Sequence, residues 1–165
     1  SNQRGHSLFY CATGKNKNDE ANIELVTRLL HDQGWSSSRF THKTKPKEKP
    51  RLIESFTNGN IDALVSMRVL DEGVDIPVCK TAFILASTKN PRQYIQRRGR
   101  ILRKSPGKDI AKIYDFVVLP AKERENNNAS KKLIESEKER INEFLSLAIN
   151  KESVLNDLNY LRMNS

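Results

Sequence analysis

Residues 91–108 carry seven basic side chains, Arg92, Arg97, Arg98, Arg100, Arg103, Lys104 and Lys108, and no acidic one. Inside that window, Gln93-Tyr94-Ile95-Gln96-Arg97-Arg98-Gly99-Arg100-Ile101-Leu102-Arg103 has types and spacing that could do chemistry. On a helix, Gln96, Arg100 and Arg103 fall at i, i+4 and i+7 on one face, with Gln93 a turn earlier. Tyr94, Ile95, Ile101 and Leu102 leave apolar side chains to pack the helix from the other side. Guanidinium groups are planar, permanently charged and bidentate, which suits a polyphosphate whose charge shifts during hydrolysis. Gly99 destabilises a helix by roughly 1 kcal/mol relative to Ala, so its presence points to a close approach. The plainer alternative is a basic helix lying against a nucleic-acid backbone, and the spacing alone does not name the ligand.

A second basic window spans residues 41–51, where Lys43, Lys45, Lys47, Lys49 and Arg51 face a single acid, Glu48. The chain has 165 residues and a net charge of +9. The two windows carry more positive charge than that whole, so the remainder is slightly acidic. Such focusing suits phosphates better than a uniformly basic surface would. For the lysine window, a solvated loop is the bland alternative.

Other chemistries find no support. Gly14-Lys15-Asn16 and Gly107-Lys108-Asp109 imitate a phosphate-binding loop, but Phe9 and Leu102 stand where its first glycine belongs, and no Ser or Thr follows either lysine. Leu70-Asp71-Glu72 could pass for a metal-binding strand end, yet no partner loop accompanies it. Cys11 and Cys79 form no CxxC pair, which argues against a disulfide framework or a zinc site. His6, His31 and His42 sit in a tail, a helix end and a loop, where structural roles are expected. No apolar run approaches the ~20 residues of a membrane span, and the start does not resemble a signal peptide. The expectation is a soluble, cytoplasmic chain without membrane contact, with Ser1-Asn2 read as a cloning remnant.

The elements that must position these residues alternate. Short apolar runs at 7–12, 61–66, 81–86 and 110–119 read as strands, with a weaker one at 35–41. Residues 19–33 carry Ile23, Val26, Leu29 and Leu30 at helical spacing, with Asn18 or Asp19 as cap and Gly34 as stop. Residues 51–58 put Leu52, Ile53 and Phe56 on one helix face and stop at Asn58-Gly59, while Pro46 and Pro50 are expected to keep the preceding lysine loop extended. Residues 93–103 read as a helix opened by Asn90-Pro91. Strands separated by helices predict an α/β fold with a parallel sheet, whose sites lie at the carboxyl ends of the strands. Residues 121–130 read as a polar linker. A long helix at 131–150 then carries Ile134, Ile141, Leu145 and Ala148 along one stripe with charges elsewhere, and Leu155, Leu158 and Leu161 suggest a second helical piece. The long helix either packs on this domain or presents its apolar face to a neighbour.

Gln96-Arg97-Arg98-Gly99-Arg100-Ile101-Leu102-Arg103 resembles motif VI of superfamily 2 helicases, the Q-R-x-G-R-x-x-R string of their second RecA-like domain. Leu64-Val65-Ser66 followed by Val69-Leu70-Asp71-Glu72-Gly73-Val74-Asp75-Ile76-Pro77 resembles motif V, and Leu8-Phe9-Tyr10-Cys11 sits where motif IV begins. The resemblance covers residues 7 to 119 and leaves the tail outside.

It implies a RecA-like, P-loop NTPase-like parallel sheet with helices on both faces at 1–120, and a linker with a helical extension at 121–165. Arg100 and Arg103 would be arginine fingers on the γ-phosphate of ATP, with Gln96 coupling that phosphate to the domain interface and Arg97 supporting the motif. Gly73 and Asp75 would approach the nucleotide. Backbone around Ser66, Met67 and Arg68 and the loop after Cys11 would hold nucleic-acid phosphates, with Lys43 and Lys45 beside them. ATP and Mg²⁺ would be held mainly by the N-terminal RecA-like domain of the same protein, leaving this chain inert alone. DEAD-box RNA helicases usually carry His where Gln96 stands and Thr where Met67 stands. The departure resembles DNA-directed repair and restriction-type translocases, so the expected partner is DNA and the expected source bacterial. An RNA helicase domain, or a helicase-like module that has lost catalysis and only binds, are the alternatives.

Overall fold

The computed structural model describes residues 5–11, 14, 21–67, 76, 78–85, 108–117, 120, 127–146 and 148–164. Five parallel strands form one sheet: β1 (Ser7–Tyr10), β2 (Ser37–Phe40), β3 (Ala63–Ser66), β4 (Thr81–Ile84) and β5 (Lys112–Asp115), in the order β2-β3-β1-β4-β5. Every pairing is parallel and in register, so Phe40, Ser66, Tyr10, Ile84 and Asp115 form one row at the carboxyl edge. The strand–helix alternation implies this parallel α/β architecture, and it is the RecA-like sheet that the helicase resemblance implies.

The central strands are short apolar runs because both faces are covered. Along β1 the side chains alternate. Leu8 and Tyr10 join Phe40, Leu64, Ala82 and Ile84 on one face, packed by Phe56 and Leu52 of α2 (Lys49–Thr57). Phe9 and Cys11 join Ala63 and Val65 on the other, packed by Ile23 and Leu30 of α1 (Asn22–Asp32). Phe40 and Phe56 are fully buried. Both glycine stops hold: Gly34 and Gly59 adopt φ of +74° and +77°, the left-handed conformation that ends a helix without strain for this residue alone.

Several boundaries depart from expectation. Helix α1 starts at Asn22 rather than 19, and its N-cap is Ala21 with no side-chain hydrogen bond. Pro46 and Pro50 do not hold the lysine loop extended. Pro46 occupies the second position of a turn closed by Glu48 N–H donating to Lys45 O at 2.8 Å, where its fixed φ is favourable. Pro50 lies in the first turn of α2, where its missing N–H costs nothing. Helix α3 (Asn128–Leu145) opens inside the expected linker, because the Asn127 side chain accepts from Ser130 N–H at 2.7 Å. Of its expected apolar stripe, Leu145 is buried and Ile134 and Ile141 are half-buried, and the buried residues also include Ser130, Glu137 and Arg140, the two charges being tolerated there as an ion pair within the helix. Helix α4 (Lys151–Asn164) is the second helical piece. The sheet unit ends at Phe116 and a separate helical unit follows. No helix among the described residues is long and apolar enough to cross a membrane.

Candidate functional site

A parallel sheet points all its carboxyl ends the same way, so the segments that follow them emerge along one edge. The lysine loop leaves β2 at Phe40, the motif V segment leaves β3 at Ser66, and the residues leading to motif VI leave β4 at Ile84. Gln96, Arg97, Arg100 and Arg103, together with Arg68, Gly73 and Asp75, lie outside the described residues.

The lysine loop is ordered by short-range chemistry. Thr41 N–H donates to Thr44 Oγ1 at 3.0 Å, Thr44 N–H donates back to Thr41 O at 3.0 Å, and Lys43 N–H donates to Thr41 Oγ1 at 3.2 Å. The turn at 45–48 follows directly. Lys43, Lys45 and Lys47 are exposed around these two turns. Lys45 lies 3.9 Å from Glu48, and among the described residues neither Lys43 nor Lys47 has an ion-pair partner. The loop is thus a fixed scaffold for outward positive charge.

Between β2 and α2 lies a cleft of about 410 Å³ lined by Ser38, Arg39, Thr44, Glu48, Arg51, Leu52 and Ser55. Arg39 escapes a charge-window reading because it is isolated in an otherwise neutral strand, and it lines the same cleft as Arg51. It also lies 3.5 Å from Glu24, both side chains more than half exposed. The positive end of α2 faces this region with no acidic residue in its first turn.

Cys11, Ser66 and Met67 lie at the carboxyl ends of β1 and β3. Cys11 N–H donates to Ser66 O at 2.9 Å, which ties that amide and that carbonyl into the sheet. The Cys11 side chain is buried in the α1-side core, and that burial pushes its thiol up to about 12. Ser66 is fully buried, with no hydrogen-bond partner for its hydroxyl among the described residues. Met67 packs against the α1-side cluster. The Cys11 and Ser66 side chains are buried and Met67 is half-buried and apolar, so a phosphate contact there would come from backbone, as expected, or from the segments beyond. Lys108, counted with the arginine window, is likewise buried. It stands near Cys79, whose thiol burial pushes up to about 11 while the lysine charge pulls it back.

His6 and His31 hold the opposite, amino edge, while His42 is exposed in the lysine loop. His6 Nε2 lies 3.2 Å from Thr57 O with its ring edge-on to Phe56, and His31 Nε2 lies 3.2 Å from Ser37 O. Among the described residues no group of three or more His, Cys, Asp or Glu could hold a metal ion.

A family profile described as the helicase conserved C-terminal domain matches residues 1–105. IRC3 of Saccharomyces cerevisiae, provisionally named an ATP-dependent helicase, is 31% identical over 99 residues, which is 60% of this chain and 14% of that protein. The DNA 3'-5' translocase XPB2 of Sulfurisphaera tokodaii is 39% identical over 64 residues, 39% of this chain and 15% of the translocase. The chain therefore spans about one-seventh of either relative. In structure it resembles the C-terminal domain of the DEAD-box protein Dbp5, with a TM-score of 0.57 at 20% identity over 82% of this chain and 69% of that one.

Proposed function

Because this chain belongs to the helicase conserved C-terminal domain family and is a superfamily 2 helicase domain, we propose that it is the second motor domain of an ATP-dependent DNA translocase or helicase, with residues 1–120 as the motor and 121–165 as its extension. One observation carries the reading. Phe40, Ser66, Tyr10 and Ile84 share a single carboxyl-edge row, so the basic loop and the strands leading to motifs V and VI open on the same edge. The name of the archaeal relative, a DNA translocase, and Gln96 in place of a histidine favour DNA over RNA. Relatives in yeast and an archaeon lend nothing to the expected bacterial source.

In this reading Arg100 and Arg103 reach the γ-phosphate of a nucleotide held by an N-terminal RecA-like domain, with Gln96 and Arg97 beside them and Gly73 and Asp75 lining the approach. ATP with Mg²⁺ supplies the phosphoryl chemistry when bound. This chain's share is fixed positive charge aimed at the transferring group. The lysine loop, with Arg39 and Arg51, and the backbone near Cys11, Ser66, Met67 and Arg68 follow the nucleic-acid strand by its phosphates.

The test is steady-state ATP hydrolysis by the complete protein with saturating DNA or RNA. Arg100→Ala or Arg103→Ala should reduce turnover by up to ~10³-fold while nucleotide binding falls less, since a finger acts on charge that develops in the transition state. Near-normal turnover in both variants overturns the finger assignment, and stimulation by RNA alone overturns the DNA assignment. The 165-residue chain by itself should release no phosphate from ATP-Mg²⁺; reproducible hydrolysis would mean that it holds a complete site of its own.

A further inference from the structure

The middle row of the sheet pairs Arg39, Val65, Phe9, Phe83 and Tyr114 across all five strands. Three aromatic rings therefore stand side by side on adjacent strands. Phe9 and Phe83 lie 4.4 Å apart at 9°, and Phe83 and Tyr114 lie 4.9 Å apart at 9°. Strands in a sheet are spaced by about 4.7–4.9 Å, so the rings stack at the period of the backbone itself. The two ends of the stack differ. At Phe9 it is closed by Trp35, edge-on at 5.8 Å, on the side where α1 lies over β2 and β3. At the other end Tyr114 is on an edge strand, 46% exposed.

We propose that the open end of this stack is a platform for an unpaired nucleobase of a single-stranded nucleic acid. The proposal rests on the nucleic-acid reading above and adds a base contact to what is otherwise phosphate binding. Every base has a flat π-face, so stacking on an aromatic ring is tolerant of sequence, as a motor moving along a strand requires. The neighbouring positions fit a strand. Lys112 lies two residues before Tyr114 on the same face and is exposed, while Asp115 alternates to the opposite face. Phe116, just past the strand end, is 54% exposed. A lysine beside an open aromatic ring offers one phosphate and one base their complements at neighbouring points. The same face also carries Leu85, 37% exposed, and Ile110, 63% exposed; an aliphatic docking partner would lose little in Tyr114→Leu, whereas a stacked base would lose its π-face.

The experiment compares two labelled probes by fluorescence anisotropy on the 165-residue chain: a short oligothymidylate, and an oligomer with the same phosphates but abasic sugars. The wild-type chain should prefer the probe that carries bases. Tyr114→Leu keeps apolar bulk without a π-face; it should weaken oligothymidylate binding by on the order of tenfold, the scale of a single base stack, and leave abasic binding unchanged. Tyr114→Trp should keep the preference. Equal binding of both probes by the wild-type chain, or an unaltered preference in Tyr114→Leu, overturns the platform while leaving the phosphate-binding reading intact. Failure of the wild-type chain to bind either probe overturns both. A drop in melting temperature of Tyr114→Leu with unchanged probe discrimination would assign the face to protein packing and also overturn the proposal.

Discussion

Neutralising the exposed lysines of the β2–α2 loop should change how nucleic-acid binding depends on salt, by an amount set by which lysines are paired. Lys43 and Lys47 are exposed without an acidic partner among the described residues, whereas Lys45 shares its charge with Glu48 at 3.9 Å. Each duplex phosphate that a lysine no longer neutralises lowers the slope of log affinity against log salt by about 0.9. Lys43→Ala with Lys47→Ala should therefore flatten that slope by up to about 1.8, and Lys45→Ala should add less than its share because Glu48 already offsets it. Glu48→Gln is the informative converse. It releases Lys45 and removes a repulsive carboxylate, so the slope should steepen by up to about 0.9. Neither change should unfold the loop, because its two turns are closed by Thr41, Thr44 and the Lys45 carbonyl rather than by the ammonium groups. Binding would be followed by anisotropy between about 50 and 200 mM salt on two duplexes of unrelated sequence, where phosphate contacts must act alike. An unchanged slope in the double lysine variant together with an unchanged slope in Glu48→Gln would refute the reasoning and leave the loop as solvated charge.

Two further expectations concern the scaffold. Phe56 is fully buried and its ring meets His6 edge-on at 5.5 Å, so Phe56→Ala should cost about 3–5 kcal/mol in a denaturant titration. A loss below about 1 kcal/mol would mean that α2 does not close this core. The buried thiols ionise above their ordinary value of 9.0, at about 12 for Cys11 and about 11 for Cys79, so above pH 9 the folded state retains protons that the unfolded chain releases. Their contribution is intact below pH 9 and is lost as pH rises through the folded values. The fall in melting temperature from about pH 8 to about pH 10 should thus be smaller in Cys11→Ala/Cys79→Ala, and an equal fall would count against the thiols.

Much of this architecture is legible in the residues. The apolar runs at β1 and β3 read as buried strands because both of their faces are covered, and Gly34 and Gly59 mark helix ends because only they take positive φ cheaply. The places that misled are those where one residue type has two compatible conformations. Proline breaks an interior helix, yet Pro46 suits a turn and Pro50 a first helical turn, so the same residues that suggested an extended loop instead shape a compact one. Counting charge by window also misled at both ends: it included Lys108, which the fold buries near Cys79, and missed Arg39, which lines the same cleft as Arg51. Glu137 and Arg140, among the charges expected away from the stripe of the long helix, are buried and pair with each other.

Register is the information that a linear string withholds, and here it separates two kinds of chemistry. Phe9, Phe83 and Tyr114 are 74 and 31 residues apart in sequence, and nothing local to any of them suggests a stack. A one-residue slip of β4 or β5 would turn that strand's ring to the opposite face and break the row, so the aromatic stack depends on the same pairing that aligns Phe40, Ser66, Tyr10, Ile84 and Asp115 at the edge. In β3 and β4 the buried residues specify that pairing: Ala63, Leu64, Val65, Ala82 and Ile84 all have almost no exposed surface, and a slip would reverse which core each one fills. Core packing thereby positions both the edge, where charge can follow phosphates, and the face, where a ring can meet a base. A core substitution that permitted slippage would weaken the two contacts together, whereas Lys43 and Tyr114, on separate strands and loops, should be separable by mutation.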